Sequence, residues 1–372
     1  MKDVPIGLMF YCFPLISIVA RIGGRGQLNY DYFWVPALAF ALLFSIGAKY
    51  RKSFVILLAC IGVLCFLKYF IPLLLVEKVQ WRPWLMDCKW IVYLLFSVFW
   101  INRFGLPSGK HIYEGSLFFS KVYIIYAIYL LINNQLSREG ILMEANYDGF
   151  MILMGFCWID QFRKGKYDLL IFLTATFLTL SRTGFVAISI LLIYKVARRN
   201  VLWLIPMTPV VLFFVYLAVM MRGSSTVENL DRFVFYYQTY IYLTWTSVDN
   251  VLLGCTPGVS LDMPIADGFQ WYIDNFENMR NVRGIYPFYF HSTYLRLVMT
   301  WGIFGCLLFF LFFVRRLYTA RNNTMRYFCV LVLVQSFSLS VLTLQNVSVL
   351  FFMMLFALMS IEKKSEFSYR IV

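Results

Sequence analysis

Apolar runs recur along this chain near residues 4–20, 32–48, 53–75, 89–101, 117–132, 148–160, 167–197, 201–221, 291–314, 327–345 and 347–361. A helix that crosses a bilayer needs about 20 predominantly apolar residues. Hydrocarbon offers the backbone no hydrogen-bond partner, so runs of this length that enter it must be helical. Of the 372 residues, 61% are hydrophobic and only 14% are charged, and the mean hydropathy is +0.72. An ordinary soluble domain carries about 25% charged residues. The pattern excludes a cytosolic globular enzyme, a disordered tail and a disulfide mini-protein. It predicts an all-α polytopic membrane protein.

The net charge of +14 would favour nucleic acid in a soluble chain. Here most cations fall in short clusters between apolar runs: Lys49-Arg51-Lys52, Arg163-Lys164-Lys166, Lys195-Arg198-Arg199 and Arg315-Arg316-Arg321-Arg326. Such clusters orient a membrane chain, with the positive loops on the cytoplasmic side. No nucleic-acid partner is expected. Residues 222–290 form the one long polar segment, with four arginines against seven carboxylates. Long segments cross largely regardless of charge, so this one can lie outside.

Sidedness then constrains the run 167–197. Basic clusters flank it on both sides, so it crosses twice or not at all. As one helix its 31 residues would be ~46 Å long, against a hydrocarbon core of about 30 Å. A break at Ser181-Arg182-Thr183-Gly184 makes it two short helices and puts Arg182 at the outer face. The count becomes about twelve transmembrane helices with one large periplasmic loop. Residues 1–221 hold helices 1–9, with the break at 181–184; 222–290 are the loop; 291–372 hold helices 10–12 and a cytoplasmic tail. Lys2 precedes a first run interrupted by Pro5 and Pro14 with no small-residue cleavage site, so that helix is expected to be retained.

Only two histidines occur. His111 falls in an expected cytoplasmic loop with no obvious partner, whereas His291 stands where the long segment re-enters the membrane. Six of the eight cysteines lie inside apolar runs, leaving only Cys255 and Cys88 able to face an oxidising compartment, so no disulfide framework is implied. Arg296, inside the following span, reads as a snorkelling side chain. Trp81, Trp84, Trp90, Trp158 and Trp203 read as interfacial belt residues. The aromatic stretch Asn229–Val248 reads as an interfacial helix.

Ser181-Arg182-Thr183-Gly184 at the end of an apolar run resembles the Ser-Arg-Gly/Thr-Gly element of the O-antigen ligase and O-antigen polymerase (Wzy) superfamily. His291-Ser292, nine residues, then Gly302-x-x-Gly305 is similar to its H-[NSQ]-x9-G-x-x-[GTY] pattern. Asp231-Arg232, Asn250–Gly254 and Pro257-Gly258 resemble the family's arginine-bearing outer helix and its Pro/Gly-rich turn. The resemblance covers about residues 167–315; the first 160 match in hydropathy alone.

The resemblance implies a GT-C-like fold in a bacterial inner (cytoplasmic) membrane, its active site facing the periplasm. The implied activity is an inverting, metal-independent glycosyl transfer that polymerises undecaprenyl-pyrophosphate-linked repeat units into O-antigen or a related surface polysaccharide. The implied partners are those lipid-linked glycans, membrane lipids and a chain-length regulator protein; no cofactor is implied. By motif, Arg182 and Arg232 hold the pyrophosphate and His291 activates the attacking hydroxyl. Arginine grips phosphate bidentately and stays charged, and histidine titrates near working pH. Arg222, Arg280, Arg283, Tyr294 and Trp245 are weaker candidates for binding pyrophosphate or sugar. Two alternatives stay open: a ligase that transfers the glycan to lipid A-core, and a flippase or transporter for the same lipid-linked sugar. No Asp-x-Asp, G-x-x-x-x-G-K-[ST] or H-E-x-x-H occurs, so nucleotide-sugar, ATP and zinc chemistry are not expected.

Overall fold

The structure is a computed structural model that describes residues 1–46, 52–133, 140–197, 231–280 and 284–369, together with Pro209 and Val282. Every regular element among these residues is helical. Among the described residues, six helices are long and apolar enough to cross a membrane: Val4–Ile22 (α1), Val55–Leu75 (α3), Trp81–Phe104 (α4), Gly109–Ile132 (α5), Thr293–Thr319 (α12), and Gln345–Lys363 within Gln345–Tyr369 (α14). Between them lie the shorter Asp31–Ser45 (α2), Ala145–Phe156 (α6), Asp168–Leu178 (α7), Arg182–Ala197 (α8) and Asn323–Gln335 (α13). Three more helices, Asp231–Trp245 (α9), Val248–Leu253 (α10) and Asp267–Arg280 (α11), occupy the long polar segment.

Proline shapes two of the long helices. Pro14 and Pro72 lack an N–H, and their rings crowd the carbonyls of Phe10 and Lys68. Both carbonyls fall in π-turns, Leu8–Cys12 and Phe66–Phe70. The widened ladder accommodates each ring without breaking the helix.

The run 167–197 is two helices. After α7 the chain turns at Thr179-Leu180-Ser181, where Leu180 takes a left-handed φ of 50°. Glycine usually holds that position at a helix end. Ser181 Oγ then accepts from the Gly184 N–H at 3.0 Å and caps α8.

The turns collect at two opposite ends. At the first, Gln345 bonds Asn29 at 2.9 Å, Gln27 reaches the Leu142 carbonyl at 3.2 Å, and Gln335 reaches the Thr183 carbonyl at 3.2 Å. At the second, the Ser108 N–H donates to Asp3, Lys164 pairs with Glu114, and Gln161 bonds Asn322. His111 also lies at this second end, with Nδ1 3.4 Å from the Asp3 carboxylate, so it does have a partner. The clusters at 163–166 and 315–326 lie here, with Lys195 paired to Asp160. The rest of the basic clusters, Lys49, Arg51, Arg198 and Arg199, lies outside the described residues apart from the backbone of Lys52.

The main core is apolar and runs through the bundle, with α6 buried along its whole length between α5, α7 and α8. Trp158 is inside this core and not in an interfacial belt; Trp203 lies outside the described residues. A second, smaller core joins the 231–290 segment to the start of α12 through Phe235, Phe269, Tyr286, Phe290, Leu295 and Met299. The segment therefore packs onto the first end of the bundle.

Candidate functional site

At the first end, three stretches widely separated in sequence are tied together. Ser292 caps α12 by accepting from the Leu295 N–H at 3.4 Å, and its hydroxyl donates to the Ser336 carbonyl at 2.9 Å. The Thr293 N–H and hydroxyl both donate to the Leu339 carbonyl. Gln335, next to Ser336, holds the Thr183 carbonyl, which brings the Arg182 turn against the His291 turn. The third stretch is α9: the Phe235 ring meets the His291 ring edge-on at 5.4 Å, and the Tyr236 hydroxyl donates to the Phe337 carbonyl at 2.7 Å. Arg232 lies one turn before Phe235 and Tyr236 on α9. The backbone positions of Arg182, Arg232 and His291 therefore converge. His291 and Arg182 are both half-buried.

The weaker candidates separate. The Tyr294 hydroxyl donates to the Leu333 carbonyl at 3.1 Å and its ring packs 4.8 Å from Phe337, which ties α12 to the end of α13. Trp245 is exposed at the end of α9. Arg280 ends α11. Arg222 and Arg283 lie outside the described residues.

Behind His291, α12 is broken. Gly302 has φ 69° and ψ −173°, well outside helical values. A β-carbon there would stand 2.1 Å from the Leu252 carbonyl oxygen. Gly254 (φ 81°) crosses as closely, its own β-carbon position falling 2.4 Å from the Thr300 backbone. Backbones that touch in this way require glycine on both sides. The break leaves the Met299 carbonyl available, and the Cys255 N–H donates to it at 2.7 Å. Lys68 of α3 donates to the Leu253 and Gly254 carbonyls at 2.9 and 3.1 Å.

A cavity of about 140 Å³ opens at this junction, between α3, α4, α12 and the turn before α14. Asp87 and Arg296 both line it. Arg296 donates to the Thr343 hydroxyl, and Asp87 Oδ2 accepts from the Gly258 N–H at 3.3 Å. Asp87 Oδ1 is buried with no hydrogen-bond partner. Such an atom costs about 1–3 kcal/mol when left unmet. Tyr69, Trp90 and Trp301 form the aromatic wall, their ring centroids 5.9 to 6.2 Å apart. Arg296 thus faces a cavity and does not snorkel to a headgroup. Trp90, whose indole donates to the Tyr69 hydroxyl at 2.9 Å, lines the same cavity.

The hydropathy windows begin one run at 89, which leaves Asp87 outside it. The helix starts at Trp81 and carries Asp87 into the bundle. The sequence carries no clear signal for it, because Arg82, Asp87 and Lys89 together read as the polar flank of the apolar run that follows.

No family model matches this sequence, no curated protein matches it, and no solved structure matches its fold. Fold and composition define a helical membrane protein. Among the described residues, no three His, Cys, Asp or Glu side chains gather as a metal-ligand set.

Proposed function

We propose that this protein polymerises undecaprenyl-pyrophosphate-linked repeat units into a surface polysaccharide at the periplasmic face of a bacterial inner membrane. The observation that carries this reading is the convergence of the Arg182 turn, the α9 start at Arg232 and the His291 turn at one end of the bundle. The basic clusters at the opposite end support an outward orientation for it. The six described helices that are long and apolar enough to cross a membrane support a multi-span protein, which the GT-C-like, twelve-span architecture of this reading requires.

In this reading the acceptor hydroxyl attacks the anomeric carbon of the donor glycan, and the bond to the carrier pyrophosphate breaks with inversion. His291 takes the hydroxyl proton. Arg182 and Arg232 hold the pyrophosphate, whose negative charge grows as it leaves. No nucleotide or metal is required. A chain-length regulator would dock on the outer segment, and transfer to lipid A-core would use the same chemistry with another acceptor.

A transporter for the same lipid-linked sugar is the second reading. The interruption of α12 at Gly302, beside the buried Asp87 and the half-buried Arg296, favours it, because carriers place their sites at broken helices. The deciding experiment supplies purified lipid-linked donor to the reconstituted protein and follows glycan chain length. His291→Gln abolishes product in a polymerase, whereas in a carrier it leaves lipid translocation measurable.

A further inference from the structure

We infer that the cavity between Asp87 and Arg296 is a sugar subsite that takes one pyranose ring of the lipid-linked glycan. The inference rests on the glycan-transfer reading and adds a binding position that the arginine–histidine site does not supply.

Size is the first constraint. The cavity measures about 140 Å³, and an apolar cavity of about 150 Å³ admits a benzene-sized ring. The space is on the scale of a single six-membered ring and far smaller than a whole prenyl tail.

Charge is the second. No ion pair joins Asp87 to Arg296, although both line the cavity. Asp87 is 2% exposed and its Oδ1 has no partner. Arg296 has five N–H donors, and Thr343 takes one of them. An anion in this space would meet Asp87, and a cation would meet Arg296. A neutral ligand with neighbouring hydroxyls satisfies both, because a hydroxyl donates and accepts at once. One hydroxyl donates to Asp87 Oδ1 while another accepts from the guanidinium.

The third constraint is the aromatic wall. Trp90 is fixed by its bond to Tyr69, and Trp301 stands edge-on to both at 66° and 70°. The negative faces of such rings suit the weakly positive C–H face of a pyranose. Position supplies the fourth. Thr293 lines the cavity two residues from His291, within about 7 Å along the backbone. A ring held here belongs to the glycan beside the reacting sugar.

The test titrates the full chain in detergent with methyl glycosides of glucose, galactose, mannose and N-acetylglucosamine at millimolar concentration. Intrinsic tryptophan fluorescence is the readout. At least one glycoside should give a saturable change. Asp87→Asn should weaken it at least tenfold, and Leu342→Trp, which fills the cavity without removing a polar group, should abolish it. Equal melting temperatures for Leu342→Trp and the unaltered chain keep the result meaningful if Asp87→Asn misfolds. Binding unchanged in both variants, or no glycoside binding at all, overturns the subsite. Transfer from lipid-linked donor is measured in the same preparation. Transfer without glycoside binding removes the subsite and leaves the polymerase reading. Binding that Leu342→Trp abolishes, in a preparation that transfers nothing, supports the subsite and removes the polymerase reading.

Discussion

Asp87 of α4 and Arg296 of α12 line the same cavity without bridging each other, and each is held by a different backbone or hydroxyl partner. Opposite charges inside a bundle usually pair directly, because an unpaired buried charge is expensive. The outer segment, whose Gly258 N–H holds Asp87, crosses α12 backbone to backbone at Gly254 and Gly302. The site therefore depends on a backbone contact as much as on its charges.

Gly302→Ala tests that contact. The added β-carbon meets the Leu252 carbonyl at 2.1 Å and forces a side chain into a left-handed conformation. A backbone neighbour cannot swing aside, so a loss on the order of 2–4 kcal/mol is expected. Thermal melting in detergent should show a clear drop. An unchanged midpoint would mean that the crossing is not close.

Ser181→Ala removes the cap on the Gly184 N–H. The expected cost is about 1 kcal/mol, with a larger effect on transfer, since Arg182 begins the capped helix. Leu180→Gly should do the reverse for stability, relieving a left-handed leucine worth about 1–2 kcal/mol. Paired melting and activity measurements check both.

In the proposed glycan transfer the three converging residues would divide the chemistry. Arg182→Lys should fail in transfer, because an ammonium cannot reproduce a two-pronged grip on pyrophosphate. His291→Gln should keep donor binding and lose about 10²–10⁴ in rate. Arg232→Ala should give a partial loss, seen as shorter chains. The assay is glycan transfer with chelator present and nucleotide absent; full activity in His291→Gln removes the base assignment, and inhibition by chelator removes metal independence.

Sidedness is testable at exposed positions on opposite ends. In a background lacking the exposed Cys12 and Cys60, Tyr240→Cys on α9 should react with a membrane-impermeant maleimide on intact spheroplasts. Tyr318→Cys near the end of α12 should react only after permeabilisation. The opposite result inverts the topology and removes the periplasmic site.

Cys255 should stay unlabelled in both experiments. Burial, reinforced by the Asp87 carboxylate and opposed by Lys68, pushes its thiol from about 9 up to about 12. The thiolate is then scarce below pH 9. The linkage follows the same direction. The folded state holds the proton more tightly than the unfolded one, so this contribution to stability is complete below pH 9 and is lost as pH rises toward 12. Mass spectrometry of alkylated peptides before and after denaturation in SDS checks the first point, and melting between pH 8 and 11 checks the second.

By itself the sequence determined the helical membrane class, because an apolar run must bury its backbone bonds wherever it sits. It also placed the interruption near Ser181, where the length of the 167–197 run and its polar residues coincide. The clustering of cations between runs anticipated the basic residues at the second end. What only the tertiary structure decided was the cavity. Asp87 lies just outside an apolar window, Arg296 resembles a snorkelling side chain on its own helix, and Trp90 looks interfacial. Their meeting depends on α4, α12 and the Gly254–Gly302 crossing packing together. Hydropathy and motif spacing are properties of neighbouring residues, whereas a cavity forms between segments whose distance is set by how other side chains fill the space around them.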